Sequence, residues 1–153
     1  MRHHRRRESR IVSKWKRRKK SNFTIWSPLK LLRIVLDNEY TRIDFGYATH
    51  SYYIKGGWFN IYPQTHLRVH GIAEPFPLTH AEGVTLAPDR FHFESNKDWA
   101  YFSLYFKPIP MKSCVIDVIE QENPTKDNFN YYGVRVLMEE VMGVVEWGFN
   151  LII

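Results

Sequence analysis

Trp99–Pro110 reads WAYFSLYFKPIP. Within it Ala100, Phe102, Leu104 and Phe106 alternate with Tyr101, Ser103, Tyr105 and Lys107. A period of two is the pattern of an extended strand with one buried face. Pro108 and Pro110 end the strand because proline cannot donate to a ladder, and Ser95-Asn96-Lys97-Asp98 supplies the turn before it.

The same period recurs on both sides of this stretch. Downstream, Val115–Ile119 (VIDVI) and Phe129–Val136 (FNYYGVRV) read as two further strands. Upstream, Thr41, Ile43, Phe45 and Tyr47 share one face of Tyr40–Tyr47, with Arg42, Asp44 and Gly46 on the other. The Asp37-Asn38 turn separates that strand from the apolar run Leu31–Leu36. Trp58–Tyr62 (WFNIY) follows the Gly56-Gly57 break, and His66–His70 alternates in the opposite sense. The Pro75-Phe76-Pro77 segment predicts a return strand on a sheet edge, and Ala81–Arg90 reads as a loop. About seven short strands at a spacing near ten residues, with almost no helical periodicity, predict an all-β domain, a β-sandwich or small barrel.

The charge lies elsewhere. Met1–Lys20 holds eleven lysines and arginines against Glu8 alone, a net +10, while the whole chain is +6, so Ser21–Ile153 carries −4. The basic character belongs to an arm over residues 1–22, ahead of a domain over 23–137. Arg5, Arg6, Arg7, Lys16, Arg17, Arg18, Lys19 and Lys20 are its candidate polyanion-binding residues, for nucleic acid or an anionic surface and without sequence readout. Ile11, Val12 and Trp15 have helical spacing, so the arm is expected to be either a basic amphipathic helix or disordered. Residues 138–153 read as a short helix or a truncated linker, since Val141, Val144 and Val145 are spaced for a helix that Gly143 and Gly148 interrupt.

Cys114 is the only cysteine, which excludes an intramolecular disulfide and a cysteine-based zinc cluster. Phe23–Leu36 follows the basic start but is interrupted by Pro28, Lys30 and Arg33, so it makes a poor signal sequence, and the compartment stays open. No stretch approaches the roughly 20 apolar residues of a transmembrane helix.

Catalytic signatures are sparse. On a strand His66 and His70 share a face but stand about 13 Å apart at roughly 3.3 Å per residue, too far for one metal ion. His66, Arg68 and His70 therefore read as the solvated face of an edge strand, and a histidine-dependent metal enzyme is the weakest of three functional readings. Cys114 reads as a small buried apolar residue. The pairs Glu120/Glu122 and Asp37/Glu39 read as charges flanking turns, and Gly56-Gly57 lacks the Lys-Ser/Thr of a phosphate loop. The expectation is a protein with no catalytic residues, no metal and no cofactor. Adjacent aromatic pairs offer a binding surface instead. Tyr52, Tyr53, Trp58 and Tyr131 are the candidate ligand platform, against the plainer reading of a thick core with ordinary surface tyrosines.

Taken in order, TRIDFGY (Thr41–Tyr47), WFNIYPQTHLRVHG (Trp58–Gly71), FPLTHAEGV (Phe76–Val84), WAYFSLYFKPIP, VIDVIEQ (Val115–Gln121) and FNYYGVRV resemble an uncharacterised immunoglobulin-like β-sandwich module of Bacteroidetes proteins. That module often precedes a thioredoxin-like domain and is usually exported. The resemblance implies two antiparallel sheets of about seven strands and an accessory role in binding or scaffolding, with no catalytic residue to carry over. This sequence departs from the pattern at both ends: the basic arm stands where an export signal is expected, and no Cys-x-x-Cys follows.

Overall fold

The computed structural model describes residues 9–11, 29–49, 56–125 and 128–138. It is all-β: β1 (Ser9–Ile11), β2 (Leu29–Leu36), β3 (Thr41–Ala48), β4 (Trp58–Phe59), β5 (His66–Val69), β6 (Phe76–Glu82), β7 (Phe91–His92), β8 (Trp99–Phe106), β9 (Cys114–Ile119) and β10 (Tyr131–Val136). Eight of them form a sheet in the order β1-β2-β3-β8-β6-β5-β9-β10, and β4 pairs with β7 in a separate two-stranded sheet. Every strand ladder is antiparallel.

The expectation of two separate sheets is met only in its all-β, antiparallel character, because hydrogen bonding continues through β6. Phe76 and Pro77 pair with β5, whereas Leu78–Glu82 pair with β8 across a register shift. The return strand is thus a corner between two half-sheets and not an edge. Pro77 is tolerated there because the ladder uses its carbonyl, which accepts from the Lys107 N–H at 3.1 Å, while Leu78 donates to Thr65. By the same order β5 lies between β6 and β9, so the expectation that His66–His70 is an edge strand also fails.

The central alternation explains the core. β3 and β8 pair without a shift, setting Thr41 opposite Phe106, Ile43 opposite Leu104 and Phe45 opposite Phe102. These residues join Leu67 and Val69 of β5, Ile116 and Val118 of β9, and Val134 and Val136 of β10; all but Thr41 belong to one buried hydrophobic cluster. Each large side chain so buried contributes about 1.5–3 kcal/mol of transfer free energy. Tyr131 Oη donates to the Leu29 carbonyl at 2.6 Å, bringing β10 against β2 and curling the sheet towards closure. One end is packed by rings: Tyr47 lies 4.5 Å from Phe59, 5.6 Å from Phe93 and 5.4 Å from Phe129, centroid to centroid.

Other boundaries shift for local reasons. Of Trp58–Tyr62 only Trp58–Phe59 forms a ladder, with Ile61 making an isolated bridge to Leu86. The expected loop from Ala81 starts after Glu82, at Gly83. Ser9–Ile11 is extended and pairs with Ile34–Leu36, which corrects the expectation of a disordered or helical arm for those three residues. The rest of residues 1–22, and 139–153 with their expected helix or linker, lie outside the described residues.

Candidate functional site

Because alternate residues of β3 and β8 enter the core, the remainder must line the outer face, and the register sorts them into rows. Lys30, Gly46 and Tyr101 are partners across β2, β3 and β8. Arg33, Asp44, Ser103 and Glu82 form the next row, across β2, β3, β8 and β6. Val35, Arg42, Tyr105 and His80 form the third, and Arg10 of β1 is the partner of Val35.

Of these rows, Arg33, Arg42, Asp44, Glu82, Tyr101, Ser103 and Tyr105 line an open hollow of about 590 Å³. Asp44 is its hub. Its Oδ2 accepts from Arg33 Nε at 2.6 Å, its Oδ1 accepts from Ser103 Oγ at 2.6 Å, and Arg42 Nε lies 3.2 Å from that same oxygen. On the next strand Tyr105 Oη donates to Glu82 Oε2 at 3.1 Å, and Tyr105 packs edge-on against Tyr40. Aromatic surface flanks these charges. Tyr101 is 70% exposed and Trp99 48%. Lys30 Nζ sits 5.4 Å from the centre of the Trp99 ring. A Cβ on Gly46 would stand 3.5 Å from Leu32 Cδ1 and 3.6 Å from Tyr101 Cε1, so those two side chains close over the glycine.

Of the four aromatics expected to form a ligand platform, only Trp58 and Tyr131 fall within the described residues. Tyr131 is partly buried and packs against the core, with its hydroxyl on Leu29 and its ring 6.2 Å from Phe45, so it is not the open platform ring expected from sequence. Trp58 is exposed, but on the two-stranded sheet, with the Arg90 guanidinium 4.2 Å over its ring. Tyr52 and Tyr53 lie outside the described residues, as do Arg5, Arg6, Arg7, Lys16, Arg17, Arg18, Lys19 and Lys20. Sequence reasoning missed Trp99 and Tyr101. The signal was present in the outward half of the very alternation that defined β8.

The remaining candidates are held by local partners. His70 Nε2 lies 3.0 Å from Asp117 Oδ1, His66 Nε2 lies 3.1 Å from Glu122 Oε1, and Arg68 bonds the same Glu122 oxygen. No three of His, Cys, Asp and Glu converge on one point among the described residues. Desolvation pushes the Cys114 thiol up, against a smaller opposing effect of Lys112, which leaves less of the nucleophilic thiolate. Glu120, read from sequence as a charge flanking a turn, is only 3% exposed and ties two loops together. Among the described residues no helix is long and apolar enough to cross a membrane. No family model, no curated protein and no solved structure matches this chain.

Proposed function

We propose that this chain is a non-catalytic binding domain whose ligand lies on the outer face of β2, β3, β8 and β6. One observation carries the reading: Trp99 and Tyr101, two exposed rings of one strand, adjoin a preorganised cluster of Arg33, Asp44 and Ser103. Rings exposed beside fixed polar groups are what recognition surfaces use, since the ring supplies area at low entropy cost and the polar groups supply direction. Asp44 has its oxygens engaged by Arg33, Ser103 and Arg42, which suits a fixed acceptor better than a proton shuttle. The resemblance to the immunoglobulin-like accessory module supports a binding or scaffold role of this kind.

The test is a titration of the ¹⁵N-labelled chain with three probes: a fifteen-residue oligo(dT), heparin and maltohexaose. At least one should shift the amides of Gly46, Tyr101 and Ser103. No shift at these amides with any of the three overturns the assignment of the face.

A second reading, binding of nucleic acid or an anionic surface through the arm, is favoured by the +10 of residues 1–20. Heparin or oligo(dT) affinity that survives deletion of residues 1–22 removes it.

A further inference from the structure

We infer that the ligand of the outer face is a neutral oligosaccharide, held by stacking on Tyr101 and by hydroxyl hydrogen bonds across the hollow. The inference rests on the outer-face reading above and gives it a ligand class. Charge excludes one class at the start. The ionised side chains lining the hollow are Arg33, Arg42, Asp44 and Glu82, two of each sign and net zero. Such a surface has no excess of cations to exchange for the counterions of a polyanion. Strand pairing excludes another class. β3, β8 and β6 each have a hydrogen-bonded neighbour on both sides, so the centre of the hollow offers no open backbone edge to an extended peptide.

What the hollow does offer is a mixture of donors and acceptors. Arg33 gives its Nε to Asp44 Oδ2, which leaves its terminal N–H groups to donate. Ser103 Oγ donates to Asp44 Oδ1 and keeps its lone pairs. On the far side Glu82 accepts from Tyr105 Oη through Oε2, while its Oε1 meets only the exposed His80, at 3.4 Å. Register places Arg33 and Glu82 in one row, three strand spacings apart, which is roughly 14 Å at about 4.8 Å each. A single small ion cannot reach both. A chain of hydroxyls can, because every hydroxyl both donates and accepts. Tyr101 supplies the apolar contact. Its ring edge rests on Gly46, where a Cβ would stand 3.6 Å from Cε1, yet the residue is 70% exposed. The C–H face of a pyranose is apolar and slightly positive, which the negative face of an aromatic ring attracts. Trp99 already has Lys30 Nζ 5.4 Å from its ring centre, so Tyr101 is the freer platform.

The experiment is the titration of the full ¹⁵N-labelled chain with maltohexaose, heparin and oligo(dT), run at about 0.05 and about 0.5 M sodium chloride. Maltohexaose stands for the class, because an open hollow reads hydroxyls and a C–H face and not the linkage between sugars. It should shift the amides of Gly46, Tyr101 and Ser103, with a Kd that does not change with salt. Tyr101→Ala should weaken maltohexaose binding about tenfold and Glu82→Gln about threefold. Tyr132→Ala, which removes an exposed ring on β10, should leave it unchanged. Because Tyr101 is largely exposed, its variant should keep the wild-type melting temperature, which separates lost stacking from lost fold. Maltohexaose binding that is indifferent to both Tyr101→Ala and Glu82→Gln would overturn the inference. Shifts at those three amides with heparin or oligo(dT) and none with maltohexaose would overturn the ligand class while sparing the outer-face site. Silence of those amides towards all three probes would overturn both.

Discussion

Glu120 and Phe129 are joined by a hydrogen bond in which Oε2 of the buried carboxylate accepts the backbone N–H at 2.7 Å. The same carboxylate accepts from the Tyr62 N–H at 3.3 Å through Oε1 and from Asn128 Nδ2 at 3.4 Å through Oε2. One side chain therefore satisfies backbone donors from the segment before β5 and from the loop between β9 and β10. Asn130 completes the arrangement, its Oδ1 accepting from the N–H groups of Glu120 and Gln121 at 2.9 and 3.2 Å.

Glu120→Ala should destabilise the domain by about 1–3 kcal/mol, because it strips the acceptor from the Tyr62 and Phe129 N–H groups. Glu120→Gln retains one carbonyl acceptor and should cost less. Urea unfolding monitored by tryptophan fluorescence measures both; equal stability of Glu120→Ala and wild type would show that the latch carries no load.

Two carboxylates should make opposite contributions to the pH dependence. Desolvation raises the Glu120 pKa above its ordinary 4.5, with the hydrogen bonds from Phe129, Tyr62 and Asn128 opposing it. The folded chain then holds the proton more tightly, so this contribution to stability is full below about pH 4.5 and is lost as pH rises through the folded-state pKa. Asp98 behaves in reverse: hydrogen bonds, chiefly from the Ser95 backbone, lower its pKa below 3.8, so its contribution is present above that value and is lost on further acidification. In urea titrations across pH, Glu120→Gln should remove the decline above pH 4.5, and Asp98→Asn should reduce the loss at the acid end. Parallel pH profiles for Glu120→Gln and wild type would contradict the first assignment.

Gly83→Ala should be costly and Gly133→Ala mild. Both glycines have positive φ, +76° and +68°. A Cβ at Gly83 would stand 2.6 Å from the Tyr101 carbonyl oxygen, whereas at Gly133 nothing lies within 4 Å. The αL penalty of about 1–2 kcal/mol applies to each, and only Gly83 adds a clash with backbone. Melting temperatures that fall equally for the two variants would remove the claimed role of the β6–β8 approach.

Asp44→Ala should cost about 1–2 kcal/mol, since it leaves Arg33 and Ser103 without their common acceptor and Arg42 without its ionic partner, while the pairs removed are only partly exposed. Asp44→Asn keeps an acceptor and should recover much of the loss. Chemical denaturation of the two variants gives the comparison, and an unaffected Asp44→Ala would mean that the cluster is not preorganised.

Much of the fold could be read from single residues. Ile43, Phe45, Phe102 and Leu104 alternate in sequence and are buried partners in the structure, because the pleat gives a strand only two faces. Pro77 was misleading: its missing N–H suggested an edge, yet at a corner where β6 changes partner only its carbonyl is needed. Tyr131 was misleading in another way. An amphipathic ring suits a platform or a core equally well, and only the reach of its hydroxyl to Leu29, 102 residues away in the chain, set it against the core. Glu120 had no local signal at all, since its burial comes from Tyr62 and Phe129 on other segments.

The sequence by itself determined the long central strands, the inward set of β3 and β8 side chains and the separation of a +10 arm from a −4 body. Those properties are local: they depend on neighbours along the chain and on the two-residue period. Only the tertiary structure decided that the half-sheets join through β6, that Ser9–Ile11 lies against β2, and that Arg33, Asp44, Ser103 and Tyr101 share one outer face. Strand order and register are set by long-range packing, and no spacing within a single segment encodes which distant strand becomes its neighbour.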